Sequence, residues 1–325
     1  MTVCNSSNHR NDYDLISIVM PCYNAEAYVA RGVASALAQT YRNIELIAVD
    51  NGSTDRTVDI LASLDDPRLK VIAQPKRGVS AARNRGLDEV SGEFVAFLDA
   101  DDTWRADCLE LLYSALKQAP DAVLAYCGWQ NVGLAGGKGN PFIPPDYEAE
   151  GKLEHLLRCC PWPIHAALSR SSAVLPVGRF DERYSHAEDY KLWLKIAAFH
   201  PIVRVPEVMA FYHFHGSGQA SDNRLKSAIS ELEVKRDFLK KVPDAERSLG
   251  IKTVRRLVYG KLLVDGFSCY WERDLVAARG IFRMLMKVGY GSLRDWRYYL
   301  PALLPLRFHQ RLIRSFEKMR SLADE

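Results

Sequence analysis

From residue 16 to residue 126 the chain alternates short β-branched apolar runs with longer stretches of three- and four-residue apolar spacing. This alternation restricts it to βαβ units around a mostly parallel sheet. The strand candidates are Ile16–Met20, Ile44–Val49, Leu69–Ile72, Phe94–Leu98 and Val123–Tyr126; the helix candidates between them are Ala27–Ala38, Thr54–Leu64, Val79–Val90 and Ala106–Lys117. Asn24 and Ser53 carry side-chain oxygens suited to capping the first two helices. Beyond Arg224 the spacing is helical throughout, over Leu225–Lys241, Ile251–Tyr270, Asp274–Val288 and Arg307–Met319. The expected organisation is a polar N-terminal tail over 1–14, an α/β domain over 15–220 and a basic helical region over 221–325.

With 48% hydrophobic and 26% charged residues in 325, the chain is excluded from the disordered and fibrous classes and can bury a core without staples. Its seven cysteines (Cys4, Cys22, Cys108, Cys127, Cys159, Cys160, Cys269) are odd in number and scattered, and Met1–Asp14 lacks the apolar core of a secretory signal. The expectation is a set of reduced thiols in the cytoplasm. No apolar run reaches the roughly 18 to 20 residues needed to cross a bilayer. The formal charge of +3 is unevenly divided: residues 1–220 carry 21 Lys and Arg against 27 Asp and Glu, and residues 221–325 carry 22 against 13. A basic C-terminal region suggests an anionic partner. Its segment 296–316 interleaves leucines and aromatics with arginines, as an element lying in a membrane interface would; a helix packed on the body with solvated arginines has the same pattern.

Between Gly128 and Tyr147 the periodicity is lost in a Gly- and Pro-rich stretch, read either as a functional lid or as disorder. It is not a phosphate-binding P-loop, because Val132 stands where Gly is needed and Gly139 follows Lys138 where Ser or Thr is needed.

Four constellations could carry chemistry. Asp50 and Asn51 end a strand and are followed by Gly52, Ser53 and Asp55, where open α/β sheets bind ligands; a capped strand-to-helix turn accounts for all but Asp50. Asp99, Asp101 and Asp102 crowd three carboxylates after a buried strand. Such a cluster suits Mg²⁺ or Mn²⁺ bridging to a diphosphate, although acidic residues before a helix are also common. Glu188 and Asp189 open an amphipathic helix ending at Ala198, which the helix dipole favours and which also places a general base at a cleft mouth. His213 and His215 share a strand face without a further zinc ligand at suitable spacing, and one histidine assisting a metal or diphosphate is the better reading. Cys159 and Cys160, beside Pro161-Trp162-Pro163, read as buried thiols in an irregular turn.

The ordered set Ser17–Glu26, Ser35–Tyr41, Val49–Asp55, Gly78–Gly86 (with Ser80, Arg83 and Asn84), Asp99–Asp102 and Glu188–Asp189 resembles glycosyltransferase family 2, over about residues 15–220. The resemblance implies a GT-A fold, Rossmann-like, with a mostly parallel central sheet flanked by helices, here with a C-terminal helical extension. It implies inverting transfer from a nucleotide-diphosphate sugar, UDP foremost, to a hydroxyl of a glycan or lipid-linked acceptor in polysaccharide biosynthesis. Carried over by position, Tyr23, Asp50 and Asn51 line the base pocket with Arg83 nearby, Asp99 contacts the ribose, Asp101 holds Mg²⁺ or Mn²⁺, Asp189 is the catalytic base, and His215 touches metal or diphosphate. Two departures stand out: Asn51 replaces a frequent Asp, and His213 replaces a frequent Arg. The competing readings are a metal-dependent nucleotidyltransferase, disfavoured by the lack of a basic Gly-rich loop near the N-terminus, and a nucleic-acid-binding protein using the basic region, disfavoured by the leucines beside its arginines. The expected setting is the cytosolic face of a membrane, held peripherally at an anionic surface, with no nucleic-acid partner.

Overall fold

The computed structural model describes residues 14–75, 78–134, 139–149, 151–177, 179–216, 223–311 and 313. Nearly all of the expected 1–14 tail and most of the expected helix 307–319 lie outside these. The chain divides into two compact units, Met1–Lys152 with Cys160–Gly216, and Leu153–Cys159 with Ser217–Glu325.

The first unit is built on one eight-stranded sheet in the order β3-β2-β1-β4-β7-β6-β8-β5. Its strands are β1 (Ile16–Cys22), β2 (Ile44–Asp50), β3 (Leu69–Ala73), β4 (Phe94–Phe97), β5 (Thr103–Trp104), β6 (Leu124–Val132), β7 (Ala167–Arg170) and β8 (Ile202–His213). The first half, β3-β2-β1-β4, is wholly parallel. In the other half β7 runs antiparallel to β4 and β6, β8 runs parallel to β6, and β5 pairs antiparallel with β8. The helices are α1 (Val29–Leu37), α2 (Thr57–Ala62), α3 (Val79–Leu87), α4 (Cys108–Gln118), then α5 (Lys152–Arg158), which from Leu153 belongs to the second unit, α6 (Ser171–Val174) and α7 (Glu188–Ala197). Strands β1, β2 and β4 are buried along nearly their whole length, as strands of a parallel sheet are when both faces are covered. Helix α1 buries Val29, Val33 and Ala36 at four- and three-residue spacing.

Three expectations are corrected. Asn24 and Ser53 do not cap helices: Asn24 has a left-handed φ of 47° and its Oδ1 accepts from Thr54 N at 2.8 Å, while Ser53 Oγ accepts from Asn24 N at 3.0 Å. These bonds instead tie the loop after β1 to the loop after β2. Second, the stretch 128–147 is not without pattern. Strand β6 continues to Val132, and Trp129 exchanges backbone bonds of 2.9 and 2.8 Å with Phe142; residues 135–138 lie outside the described set. Third, the alternative reading of the acidic cluster as a cap for the next helix fails, since the N-cap of α4 is Asp107.

The second unit is helical, with α8 (Arg224–Lys241), α9 (Pro243–Leu249), α10 (Ile251–Trp271), α11 (Leu275–Lys287) and α12 (Trp296–Leu303). Asn223 and Asp274 cap α8 and α11 by accepting from Lys226 N and Ala277 N. The core is formed by residues such as Leu232, Val258, Leu262, Ile281, Phe282, Tyr299 and Ala302. Within it Glu231 bridges Lys235 and Lys261, each at 2.9 Å, and Lys235 Nζ also donates to the carbonyls of Arg158 and Leu257. The buried Lys235 ammonium is therefore paired and hydrogen-bonded, the condition under which burial of a charge is tolerated. No helix among the described residues is long and apolar enough to cross a membrane.

Candidate active site

The C-terminal ends of three neighbouring parallel strands bring the first group of residues together. Cys22, the last residue of β1, is in register with Asp50, the last of β2, while Leu98 at the end of β4 donates its N–H to Val19. Tyr23, Asp50 and Asp99 therefore emerge along one sheet edge, and Tyr23 is 48% exposed there. The buried Cys22 thiol records the convergence: burial raises its pKa most, and the charges of Asp50, Asp99 and Asp101 raise it further.

Local bonds shape this edge. Asp50 Oδ2 and Oδ1 accept from Gly52 N and Ser53 N, each at 3.2 Å, so Asp50 also closes its own turn. Asn51 is buried, and its Oδ1 accepts from Gly78 N at 3.2 Å. Gly78 has a φ of 132°, a conformation that favours glycine, and it precedes α3.

The three crowded carboxylates have separate partners. Asp99 Oδ1 accepts from Arg83 at 2.7 Å. Asp101 Oδ2 lies 3.0 Å from His215 Nε2, whose ring stacks on Tyr28 with centroids 4.4 Å apart; the Asp101 carbonyl accepts from Arg31. Asp102 is fully buried and its Oδ1 accepts from His213 N at 2.9 Å, which fixes the end of β8 over the cluster. Its Oδ2 lies 3.1 Å from His165 Nδ1 without hydrogen-bond alignment. Burial, with Asp99 and Asp101 nearby, pushes the Asp102 carboxyl well above the usual range, and burial pushes His165 down to about 4. Both directions favour a neutral pair. His213 Nε2 is 2.9 Å from Thr103 Oγ1, so the two histidines of this strand end serve different partners. Among the described residues no three His, Cys, Asp or Glu side chains form a ready metal cage.

Helix α3 connects this edge to α7. Arg83 is 2% exposed and donates to Asp99 and to Glu188 Oε1, both at 2.7 Å, with its guanidinium 5.4 Å from the Phe180 ring centroid. Burial opposes its charge, but Asp99 and Glu188 outweigh that and hold Arg83 firmly protonated. On the same face, Ser80 Oγ donates to the Tyr184 carbonyl at 3.0 Å and Asn84 Nδ2 to the Phe180 carbonyl at 2.9 Å, while Phe180 N returns a bond to Asn84 Oδ1. Ser80, Arg83 and Asn84, at three- and four-residue spacing, thus hold the segment that leads into α7. Sequence reasoning missed Ser80, Asn84 and Glu188 as positioning groups; the available signal was a line of polar residues on one face of a helix that must be buried.

Asp189 is the second residue of α7. Its Oδ1 accepts from Tyr190 N at 2.7 Å, and its Oδ2 lies 3.8 Å from Cys160 Sγ. Burial and then the adjacent Glu188 charge push its carboxyl up to about 7, with Arg83 and the Tyr190 N–H opposing them. Ala187, just before the helix, has φ 59°, a strained value of the kind found at functional sites. Cys160 is only partly buried and faces the proposed base, which differs from the buried thiol expected. None of the six described cysteines is in a disulfide.

A family model described as glycosyl transferase family 2 matches residues 17–168. An Escherichia coli relative, UDP-Glc:alpha-D-GlcNAc-diphosphoundecaprenol beta-1,3-glucosyltransferase WfgD, is 32% identical over 232 residues, covering 70% of this chain and 88% of the relative. The chain belongs to glycosyltransferase family 2. A second E. coli relative of this family, WfaP, whose name describes the same reaction, is 28% identical and covers 75% of this chain and 90% of its own length. Among solved structures, S. aureus TarS 1-349 in complex with UDP-GlcNAc superposes with a TM-score of 0.61 at 18% identity, covering 91% of this chain and 83% of that one. The mannosyltransferase PcManGT from Pyrobaculum calidifontis, in complex with GDP-Man and Mn2+, gives 0.52 at 19% identity, covering 88% and 85%. The glycosyltransferase fold expected from the sequence is thereby shown, and the nucleotidyltransferase alternative falls.

Proposed function

We propose that this family 2 enzyme transfers a hexosyl group, with inversion, from a UDP-sugar to a hydroxyl of a lipid-linked glycan in polysaccharide assembly, working peripherally at the cytosolic face of a membrane. The names of WfgD and WfaP support the donor and the lipid-linked acceptor, and the UDP-GlcNAc complex of TarS supports the nucleotide. The observation that carries the reading is the Arg83 bridge, which holds Asp99 of the sheet edge and Glu188 of α7 in one unit, so that the nucleotide-binding edge and the base-bearing helix start are mutually fixed.

In this reading Tyr23, Asp50 and Asn51 shape the base pocket, with Asn51 acting partly through Gly78, and Asp99, oriented by Arg83, contacts the ribose. Asp101 and His215 fit Mg²⁺ or Mn²⁺: a carboxylate oxygen and an imidazole nitrogen 3.0 Å apart, both partly exposed, leave most of the coordination to diphosphate oxygens and water, as such ions prefer. A bound ion would neutralise the charge that develops on the diphosphate, a contribution of several kcal/mol.

Asp189 Oδ2, the oxygen not bonded to Tyr190 N, takes the acceptor hydroxyl proton as that oxygen forms its bond to the anomeric carbon. The bond from carbon to the diphosphate oxygen breaks on the opposite face and its electron pair leaves with the nucleotide. A base near 7 is matched to this task. Thermal-shift titration with UDP-sugars, with and without Mn²⁺, tests the donor half: Asp101→Ala is expected to remove the metal-dependent part of the stabilisation. An undiminished Mn²⁺ effect in that variant would remove Asp101 from the metal.

A further inference from the structure

The segment from Leu293 to Arg311 has an outer face that none of the described residues buries. In α12 the inward side chains are Tyr299 and Ala302, both buried in the core of the second unit. Trp296, Leu300 and Leu303, at four- and three-residue spacing on the adjoining face, are 44%, 56% and 54% exposed. Leu293 before the helix is 90% exposed, and Leu304 and Phe308 after it are exposed as well. Single exposed leucines are ordinary; six large apolar side chains within sixteen residues on one segment are not. A helix that merely packs on the body explains Tyr299 and Ala302 and leaves this second face without a purpose.

The segment is also held in place. Arg283 donates to the Ala302 and Leu303 carbonyls at 2.8 and 3.1 Å, Arg279 donates to the Leu304 carbonyl, Tyr299 donates to the Tyr290 carbonyl at 2.8 Å, and Ser292 with Asp295 forms a reciprocal cap at its start. Its exposed charges are Arg294, Arg297, Arg307 and Arg311, against a single acid, Asp295. Exposed apolar residues flanked by exposed arginines, with an indole among them, suit the boundary between acyl chains and anionic headgroups.

We propose that Leu293, Trp296, Leu300, Leu303, Leu304 and Phe308, flanked by these four arginines, form a preformed docking face for an anionic lipid surface. This gives the peripheral association proposed above a specific set of residues and rests on that reading, but it is tested without donor or acceptor.

The test is cosedimentation of the full chain with vesicles of phosphatidylglycerol and phosphatidylcholine, compared with phosphatidylcholine alone. Binding is expected to the anionic vesicles, to weaken with added salt, and to be accompanied by a blue shift of tryptophan emission that Trp296→Phe removes. Leu300→Glu with Leu303→Glu is expected to lower partitioning roughly tenfold or more, and Arg294→Gln and Arg297→Gln about fivefold each. The substituted side chains are exposed, and unchanged unfolding midpoints would confirm intact folding. The proposal is overturned if the wild-type chain ignores anionic vesicles, if the double Glu variant binds as well as wild type, or if the face instead mediates self-association or DNA binding that the same variant abolishes. Transfer to a water-soluble acceptor analogue separates the two readings: transfer without vesicle binding sinks only the docking face, and vesicle binding without transfer sinks only the reaction.

Discussion

Replacing Arg83 with Met tests the link between the sheet edge and α7, the helix that carries the proposed base Asp189. The wild-type guanidinium is buried and pairs at 2.7 Å with both Asp99 and Glu188. The Glu188 side chain retains 10% of its accessible surface and that of Asp99 26%, so Glu188 is the costlier charge to leave without a partner. Breaking a buried pair in this way costs about 3–5 kcal/mol, and the larger share falls on Glu188 because Asp99 can recover some solvation. The urea midpoint of Arg83→Met is therefore expected to fall markedly at neutral pH. Adding Glu188→Gln removes the orphaned charge and is expected to recover much of the loss. Arg83 also opposes the upward shift of Asp189, so the residual activity of Arg83→Met should need higher pH than wild type. A loss under about 1 kcal/mol, with no rescue by Glu188→Gln and an unmoved activity profile, would refute the clamp.

Three further outcomes follow from the same geometry. With Asp189 pushed up to about 7 and required as a carboxylate, kcat/KM is expected to rise about tenfold between pH 6 and pH 8, and a flat profile would count against it. Cys160 Sγ lies 3.8 Å from Asp189 Oδ2, so Cys160→Ala should keep activity within about fivefold, whereas iodoacetamide should inactivate wild type and spare that variant; equal inactivation of both would separate Cys160 from the site. A Cβ at Gly32 would meet the Ala100 carbonyl oxygen at 2.6 Å, pressing α1 against the Asp99–Asp102 loop; Gly32→Ala is expected to cost about 1–3 kcal/mol and weaken donor binding, read by thermal shift and calorimetry.

What could be read from the sequence divides by range. Strands β1 to β4 and helices α1 to α4 lie within a residue or a few of expectation, because apolar runs with turn residues between them are local signals. Strands β7 and β8 were not legible: Ala167–Arg170 is four residues long, and Ile202–His213 carries Pro206 and a mixed burial pattern. Strand β6 runs six residues beyond the expected end at Tyr126, because its second half is only partly buried and lacks a continuous apolar signal. In the candidate site, Asp99, Asp101 and Asp189 stand out in the sequence by crowding and placement, and their proposed roles come from the family resemblance. Their organisation could not be read from the sequence, since Arg83 reaches Glu188 across 105 residues and His215 reaches Asp101 across 114, and no local periodicity reports such pairs. The segment 293–311 shows the same limit from another side: its composition suits both a packed helix and a membrane element, and only the different burial of Tyr299 and Leu300 separates its two faces.

The most direct test of the central claim is single-turnover transfer by Asp189→Asn, measured beside its affinity for the UDP-sugar. The substitution keeps an acceptor oxygen for Tyr190 N and removes the base. Donor affinity should stay near wild type while the transfer rate falls by about two to four decades. Transfer at the wild-type rate would show that Asp189 is not the base and that the chemistry lies elsewhere in the site.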